Sequence, residues 1–222
     1  MTETRSRQMD LQDVELSADL RLPLQADGLV IFVHGSGSGR LSPRNQFVAE
    51  SLARRGLGSL LFDLLTEPEQ RLDNLTGALR FDIDLLAGRL VEVIDWVGRD
   101  ADLRSLRIGL FGASTGAAAA LLAAATRADV VHAVVSRGGR TDLAGPALAQ
   151  VRAPTLQIVG ARDPVVLELN ERSCHALRCE QRLDVVAGAT HLFEEPGTLE
   201  EVARLAGDWF ETHLQGGRQS AR

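Results

Sequence analysis

Ser114, Asp163 and His191 carry the side-chain types that let a weak nucleophile attack a carbonyl. A serine hydroxyl needs a neighbouring imidazole to take its proton, and the imidazole needs a carboxylate to hold it in the right tautomer. The serine lies in Gly112-Ala113-Ser114-Thr115-Gly116, directly after the apolar run Leu106–Phe111 and directly before the unbroken helical stretch Ala117–Thr126. Strand, Gly-x-Ser-x-Gly turn and helix in that order build a sharp elbow, with small residues letting the strand and helix pass closely. Asp163 follows the run Thr155–Val159, and His191 follows Leu183–Val186. Serine, acid and histidine therefore fall at the C-terminal ends of predicted strands, where open α/β sheets place their sites. The chain order also suits this elbow.

Attack on a carbonyl creates an oxyanion, which needs N–H donors aimed at it. The spacing predicts one donor at Thr115, at the positive end of the following helix. The other is expected in the glycine-rich loop His34-Gly35-Ser36-Gly37-Ser38-Gly39, at Ser36. His34 is a candidate substrate contact. So are Arg137 and Arg140 in Ser136-Arg137-Gly138-Gly139-Arg140, whose planar forks would suit a substrate carboxylate.

Each residue also has a plainer role. Ser114 could cap its helix, Asp163 before Pro164 could start a turn, and His191 could be a satisfied loop histidine. Arg137 and Arg140 could be surface arginines paired with Asp142, Glu194 or Glu195. Three plain roles falling together at the right strand ends is the weaker reading. The glycine loop also imitates a dinucleotide-binding turn, but Arg40 stands where the third glycine or alanine belongs and would obstruct helix–strand packing.

Short apolar runs alternate with helical patterns, which predicts an α/β fold with a mainly parallel sheet covered on both faces. Strands are expected at Val14–Leu16 and Ala18–Leu22 as an edge hairpin, then at Leu29–Val33, Leu57–Asp63, Leu106–Phe111, His132–Val135, Thr155–Val159 and Leu183–Val186. Helices are expected at Pro43–Arg55 with Ser42 as N-cap, Leu79–Gly98, Thr115–Thr126, Val165–Leu177 and Leu199–Leu214, the last with a capping box of Thr198 and Glu201. Residues 1–10 are expected to be flexible, 11–214 to form one domain, and 215–222 to be a disordered tail. Only Ser136 to Pro154 separate two of the strands, too few residues for a cap domain.

The chain has 222 residues, 45% of them hydrophobic, a net charge of −6, 24 basic residues that are all arginine, and no tyrosine. Lacking lysine and tyrosine, it cannot use a Schiff-base lysine, a P-loop lysine or a tyrosine acid. No basic face suggests nucleic acid. No apolar run approaches the roughly 20 residues of a membrane span, and residues 1–10 lack a signal peptide's apolar core. A cytoplasmic location is expected. Cys174 and Cys179 fit neither a zinc nor a redox pattern, and neither a cofactor nor a metal is called for.

On His34-Gly35-Ser36-Gly37, Gly112-Ala113-Ser114-Thr115-Gly116, Gly160-Ala161-Arg162-Asp163 and Gly188-Ala189-Thr190-His191-Leu192-Phe193, the chain resembles the α/β-hydrolases. Within them it is similar to the small capless dienelactone-hydrolase-like group, from about Gly28 to Leu214. The resemblance implies an eight-stranded, mostly parallel sheet without a cap, and carries nucleophile, acid and base onto Ser114, Asp163 and His191. Dienelactone hydrolases proper have a cysteine where Ser114 stands and a glutamate where Gly35 stands, so ordinary carboxylesterase chemistry is favoured. The expected activity is hydrolysis of small carboxylic esters or lactones through an acyl-enzyme. The rivals are a catalytically silent binding module, or an acyltransferase or perhydrolase using the same triad. The expected partner is a small ester or lactone, not nucleic acid or membrane, with a homodimer left open.

Overall fold

The computed structural model describes residues 4–215. Its strands are β1 (Thr4–Asp10), β2 (Glu15–Arg21), β3 (Gly28–Val33), β4 (Gly58–Phe62), β5 (Arg107–Ala113), β6 (Val131–Arg137), β7 (Thr155–Gly160) and β8 (Gln181–Val186). All eight lie in one sheet, ordered β1-β2-β4-β3-β5-β6-β7-β8. Pairing is antiparallel at β1–β2 and β2–β4 and parallel everywhere else. Every residue of β3 and β4 is buried, as continuous apolar strands covered on both faces must be.

The helices are α1 (Pro43–Arg54), α2 (Glu67–Thr76), α3 (Ile83–Arg99), α4 (Thr115–Thr126), α5 (Pro164–Ala176) and α6 (Thr198–Leu214). On one face of the sheet, Leu90, Val93 and Val97 of α3 and Ala119, Ala120 and Leu121 of α4 pack against Ile31, Leu110 and Val134. On the other, Val48 and Leu52 of α1 and Val202, Ala206 and Phe210 of α6 pack against Val30, Phe32, Phe111 and Val135. Because strand side chains alternate between faces, neighbouring residues of one strand feed the two cores in turn. Helix α4 is buried nearly all round, which suits its alanine-rich, uniformly apolar sequence. Ser42 caps α1 as expected, its hydroxyl accepting the Asn45 N–H, with Pro43 as the first helical residue.

Four local expectations are corrected. Residues 4–10 are a strand, although only Met9 among them is buried. The expected hairpin within residues 14–22 is one strand, β2, whose Leu16, Ala18 and Leu20 alternate inward; its hairpin partner is β1, with Met9 opposite Leu16. The capping box at α6 is absent, because Gly197 is the N-cap in the left-handed conformation and the Thr198 hydroxyl donates to the Glu195 carbonyl. Helix α2 was not expected, and α3 starts at Ile83 rather than Leu79 because a 3-10 turn occupies Leu79–Phe81. Of the tail, only Gln215 falls among the described residues.

Candidate active site

The strand order β3-β5-β6-β7-β8 makes five consecutive C-terminal ends into one rim, and candidate residues follow all five. Ser114 follows β5 as the N-cap of α4, with φ 51° and ψ −122°. A non-glycine residue at positive φ is costly and is held only where its surroundings fix it. Here the Ser114 N–H donates to the Arg137 carbonyl at 3.1 Å and the Ser114 carbonyl accepts the Arg140 N–H at 3.0 Å. Gly116 is required two residues later, since a Cβ there would stand 2.5 Å from the His34 carbonyl oxygen. The glycine-rich loop and the elbow therefore touch backbone to backbone.

Asp163 is likewise an N-cap, of α5, and its side chain caps nothing. Nor does the Ser114 hydroxyl make a cap hydrogen bond. Both side chains turn instead to His191: Asp163 Oδ2 lies 2.6 Å from Nδ1, and Ser114 Oγ lies 3.3 Å from Nε2. The plain capping and turn roles are thus not what these side chains do. With Nδ1 protonated toward the carboxylate, Nε2 is left to accept the serine proton.

The turns that bring acid and base together are bonded to each other. The Ala161 N–H donates to the Val186 carbonyl at 3.0 Å, and the Arg162 N–H to the Ala189 carbonyl at 2.9 Å. Gly160 permits this approach, because a Cβ would stand 2.6 Å from the Thr190 carbonyl oxygen. The Thr190 N–H donates to Glu195 Oε2 at 3.1 Å, which closes the histidine loop on itself.

Thr115 is the first residue of α4, so its N–H has no carbonyl one turn back and faces the elbow. The Ser36 N–H is close by but donates to the Thr115 hydroxyl at 3.1 Å. The Ser36 hydroxyl sits 3.0 Å from the same oxygen and donates to the Arg80 carbonyl at 3.2 Å. The two expected oxyanion donors are neighbours, and a substrate oxygen would compete with the Thr115 hydroxyl for one of them.

Both ring nitrogens of His34 are engaged within the protein. Its Nε2 accepts the Leu64 N–H at 3.0 Å, which leaves Nδ1 to donate to the Gly35 carbonyl at 3.0 Å. Burial lowers its pKa below the usual histidine value, opposed by the bond to Gly35. Arg140 is turned away from a substrate role, since Nε and Nη2 bind Asp142 at 2.9 and 2.8 Å. Arg137 is not on a loop but is the last residue of β6, and it is buried.

The residues that hold the site but were not singled out are Leu64, Gly138, Arg80 and Glu195. Gly138 has φ +53°, and a Cβ there would lie 3.2 Å from the His191 carbonyl oxygen. None has a local signal, because each acts on a residue far along the chain or through its backbone. Helix α2 did have one. Thr66 and Glu69 form a capping box, and Glu69 then binds Arg89 of α3 at 2.6 Å.

Among the described residues no helix is long and apolar enough to cross a membrane, and no group of three or more His, Cys, Asp or Glu is placed to hold a metal ion.

Comparison with known proteins gives the family. The chain is 50% identical to a dienelactone hydrolase of Anabaena variabilis whose crystal structure superposes with a TM-score of 0.95, covering 96% of this chain and 99% of that one. An esterase of Pyrococcus furiosus shares the fold at 19% identity, with a TM-score of 0.74 and coverage of 96% and 92% of the two chains. Two Mycobacterium tuberculosis proteins named "Putative phosphoribosyl transferase" are 56% identical over 203 residues, 91% of this chain. The chain spans 45% of the length of those relatives. No protein-family model matches. The chain belongs to the α/β-hydrolases, in their dienelactone-hydrolase-like group.

Proposed function

We propose that this chain is a serine hydrolase of small carboxylic esters or lactones. One observation carries the reading: Ser114 and Asp163, both at helix N-caps, leave their caps unmade and meet on opposite nitrogens of His191. A serine and an aspartate whose side chains served the fold would satisfy their own helices.

In the reaction, His191 Nε2 takes the hydroxyl proton as Ser114 Oγ bonds to the carbonyl carbon. Asp163 stabilises the imidazolium and keeps the ring in register. The oxyanion is received by the Thr115 N–H, and by the Ser36 N–H once it leaves the Thr115 hydroxyl. Collapse expels the alcohol, which takes its proton from His191 and leaves an acyl-serine. Water, deprotonated by His191, then attacks the acyl carbon, and the acid leaves as Ser114 recovers its proton. In a lactone the expelled alcohol stays attached to the acyl group.

The hydrolase and esterase names of the neighbours support this class. The transferase name of the mycobacterial relatives describes proteins of which this chain spans less than half, and neither Ser114, Asp163 nor His191 speaks for phosphoribosyl transfer. The test is turnover of a panel of short-chain esters and lactones by the purified chain and by Ser114→Ala. Hydrolysis that depends on Ser114 supports the reading, and equal rates for both proteins reject it. Formation of transacylation products with added alcohol would redirect the same site to acyl transfer.

A further inference from the structure

The hydrolytic cycle gives no role to the side chain at the end of β6. Arg137 is 8% exposed. Strand alternation puts it on the face of Ala133 and Val135, beneath α1 and α6, while Ser136 faces the other way, with its hydroxyl against Gly139. Its Nε and Nη1 are buried and meet no protein acceptor among the described residues. Among the described residues no carboxylate pairs with it, whereas Arg89, equally buried, binds Glu69 at 2.6 Å.

A second guanidinium stands nearby. Arg44 lies in the first turn of α1, which carries no acidic residue, and its Nε is also buried without a protein acceptor among the described residues. Burial and, after it, the charge of Arg44 lower the pKa of Arg137 to about 10. At neutral pH Arg137 still carries its charge. Among the described residues the one carboxylate on the pair is Glu194, three residues past His191, 3.3 Å from Arg44 Nη1 and 64% exposed.

Arg44, at the positive end of a twelve-residue helix, is thus tied to the histidine loop through Glu194, and its charge acts on the buried Arg137. A buried charge without a counter-ion is costly, and arginine does not relieve that cost by losing its proton. Planar forks of this kind match the paired oxygens of a carboxylate or phosphate.

We propose that Arg137 and Arg44 form a binding site for an oxyanion, a carboxylate or a phosphate, on the rim next to the histidine loop. Glu194 acts as the stand-in that an incoming anion displaces from Arg44. The anion comes either from the acid group of an ester substrate or from a free small molecule. Binding itself is independent of the serine reading; only the substrate source rests on it.

Thermal melts of the wild-type chain in rising sodium phosphate or sodium acetate, against sodium chloride at matched ionic strength, test the site. A saturable rise in Tm beyond the chloride control is expected, lost in Arg137→Gln and weakened in Arg44→Gln. No rise beyond chloride, or an equal rise in wild type and Arg137→Gln, overturns the proposal. Should Arg137→Gln fail to fold by circular dichroism, the partly exposed Arg44→Gln decides, and an undiminished rise there overturns it.

The source is then read from p-nitrophenyl hemisuccinate and p-nitrophenyl butyrate. If the substrate supplies the anion, the ratio of their kcat/KM values falls roughly ten- to a hundred-fold in Arg137→Gln, and phosphate competes with the hemisuccinate. An unchanged ratio with the Tm effect intact assigns the site to a free anion. If neither ester is hydrolysed by the wild type, the serine reading fails while the melts still decide the anion site.

Discussion

His34 and Leu64 are joined side chain to backbone: the imidazole Nε2 accepts the Leu64 N–H at 3.0 Å, tying the glycine-rich loop after β3 to the end of β4. The bond requires a neutral ring, since a protonated histidine has no acceptor nitrogen. Burial already lowers the His34 pKa from 6.5. Below pH 6.5 the unfolded chain therefore binds a proton that the folded chain resists, and stability falls as pH falls through that range. His132 is shifted the same way, by burial first and Arg107 second. Tm is expected to drop between pH 7 and pH 5, and less steeply in His34→Asn. Equal slopes for the variant and wild type would remove His34 as a source of the effect.

Glu69 adds a second acid-sensitive step at lower pH. Its hydrogen bond to Arg89 holds its pKa at about 2, against 4.5 unperturbed. A depressed carboxylate stabilises the fold above its unfolded value and loses that contribution as pH falls from 4.5 toward 2. Glu69→Gln should be less stable at pH 7, with the gap to wild type closing across that window. A constant gap would mean that the charge of Glu69 contributes nothing.

Asp163→Asn keeps the shape of the acid but takes away the charge that fixes His191. Turnover of a good ester should fall on the order of 10⁴-fold, chiefly in kcat. A loss confined to KM would place Asp163 in substrate binding instead.

Gly116→Ala and Gly88→Ala separate a glycine that the site demands from one that it does not. The added methyl at Gly116 would strike the backbone of Val33 and His34, so destabilisation of at least about 1–3 kcal/mol is expected. At Gly88, inside α3, a Cβ meets nothing within 4 Å. There alanine should stabilise by about 0.4–1 kcal/mol. Denaturant melts of both variants decide, and a well-tolerated Gly116→Ala would contradict the close passage of elbow and loop.

The parts of this fold that could be read from the chain are those that bury apolar side chains. The central strands and the alanine-rich α4 are continuous apolar runs, and their order placed the elbow, the acid and the histidine at the ends of β5, β7 and β8. Strand β1 was hidden because an edge strand with only Met9 buried carries no apolar pattern. Helix α2 was hidden for the same reason, since Asp73 is its one buried residue; its capping box, Thr66 with Glu69, was the one signal that went unread. The reverse error occurred at Thr198 and Glu201, which have the spacing of a capping box without its bonds. Side-chain direction was the least legible. Nothing local tells that His34 turns back to Leu64 or that Arg137 points inward, whereas Arg140 takes the nearby partner, Asp142, that its plainer reading offered.

The most direct test is a fluorophosphonate probe followed by tryptic mass spectrometry, because an activated serine attacks phosphorus where ordinary serines do not. Cleavage at arginine releases Ile108–Arg127, in which Ser114 is the one serine. The expected result is stoichiometric adduct on that peptide, abolished in Ser114→Ala and greatly slowed in His191→Ala. An unlabelled peptide in the folded chain, or labelling that survives Ser114→Ala, would contradict an activated nucleophile at Ser114.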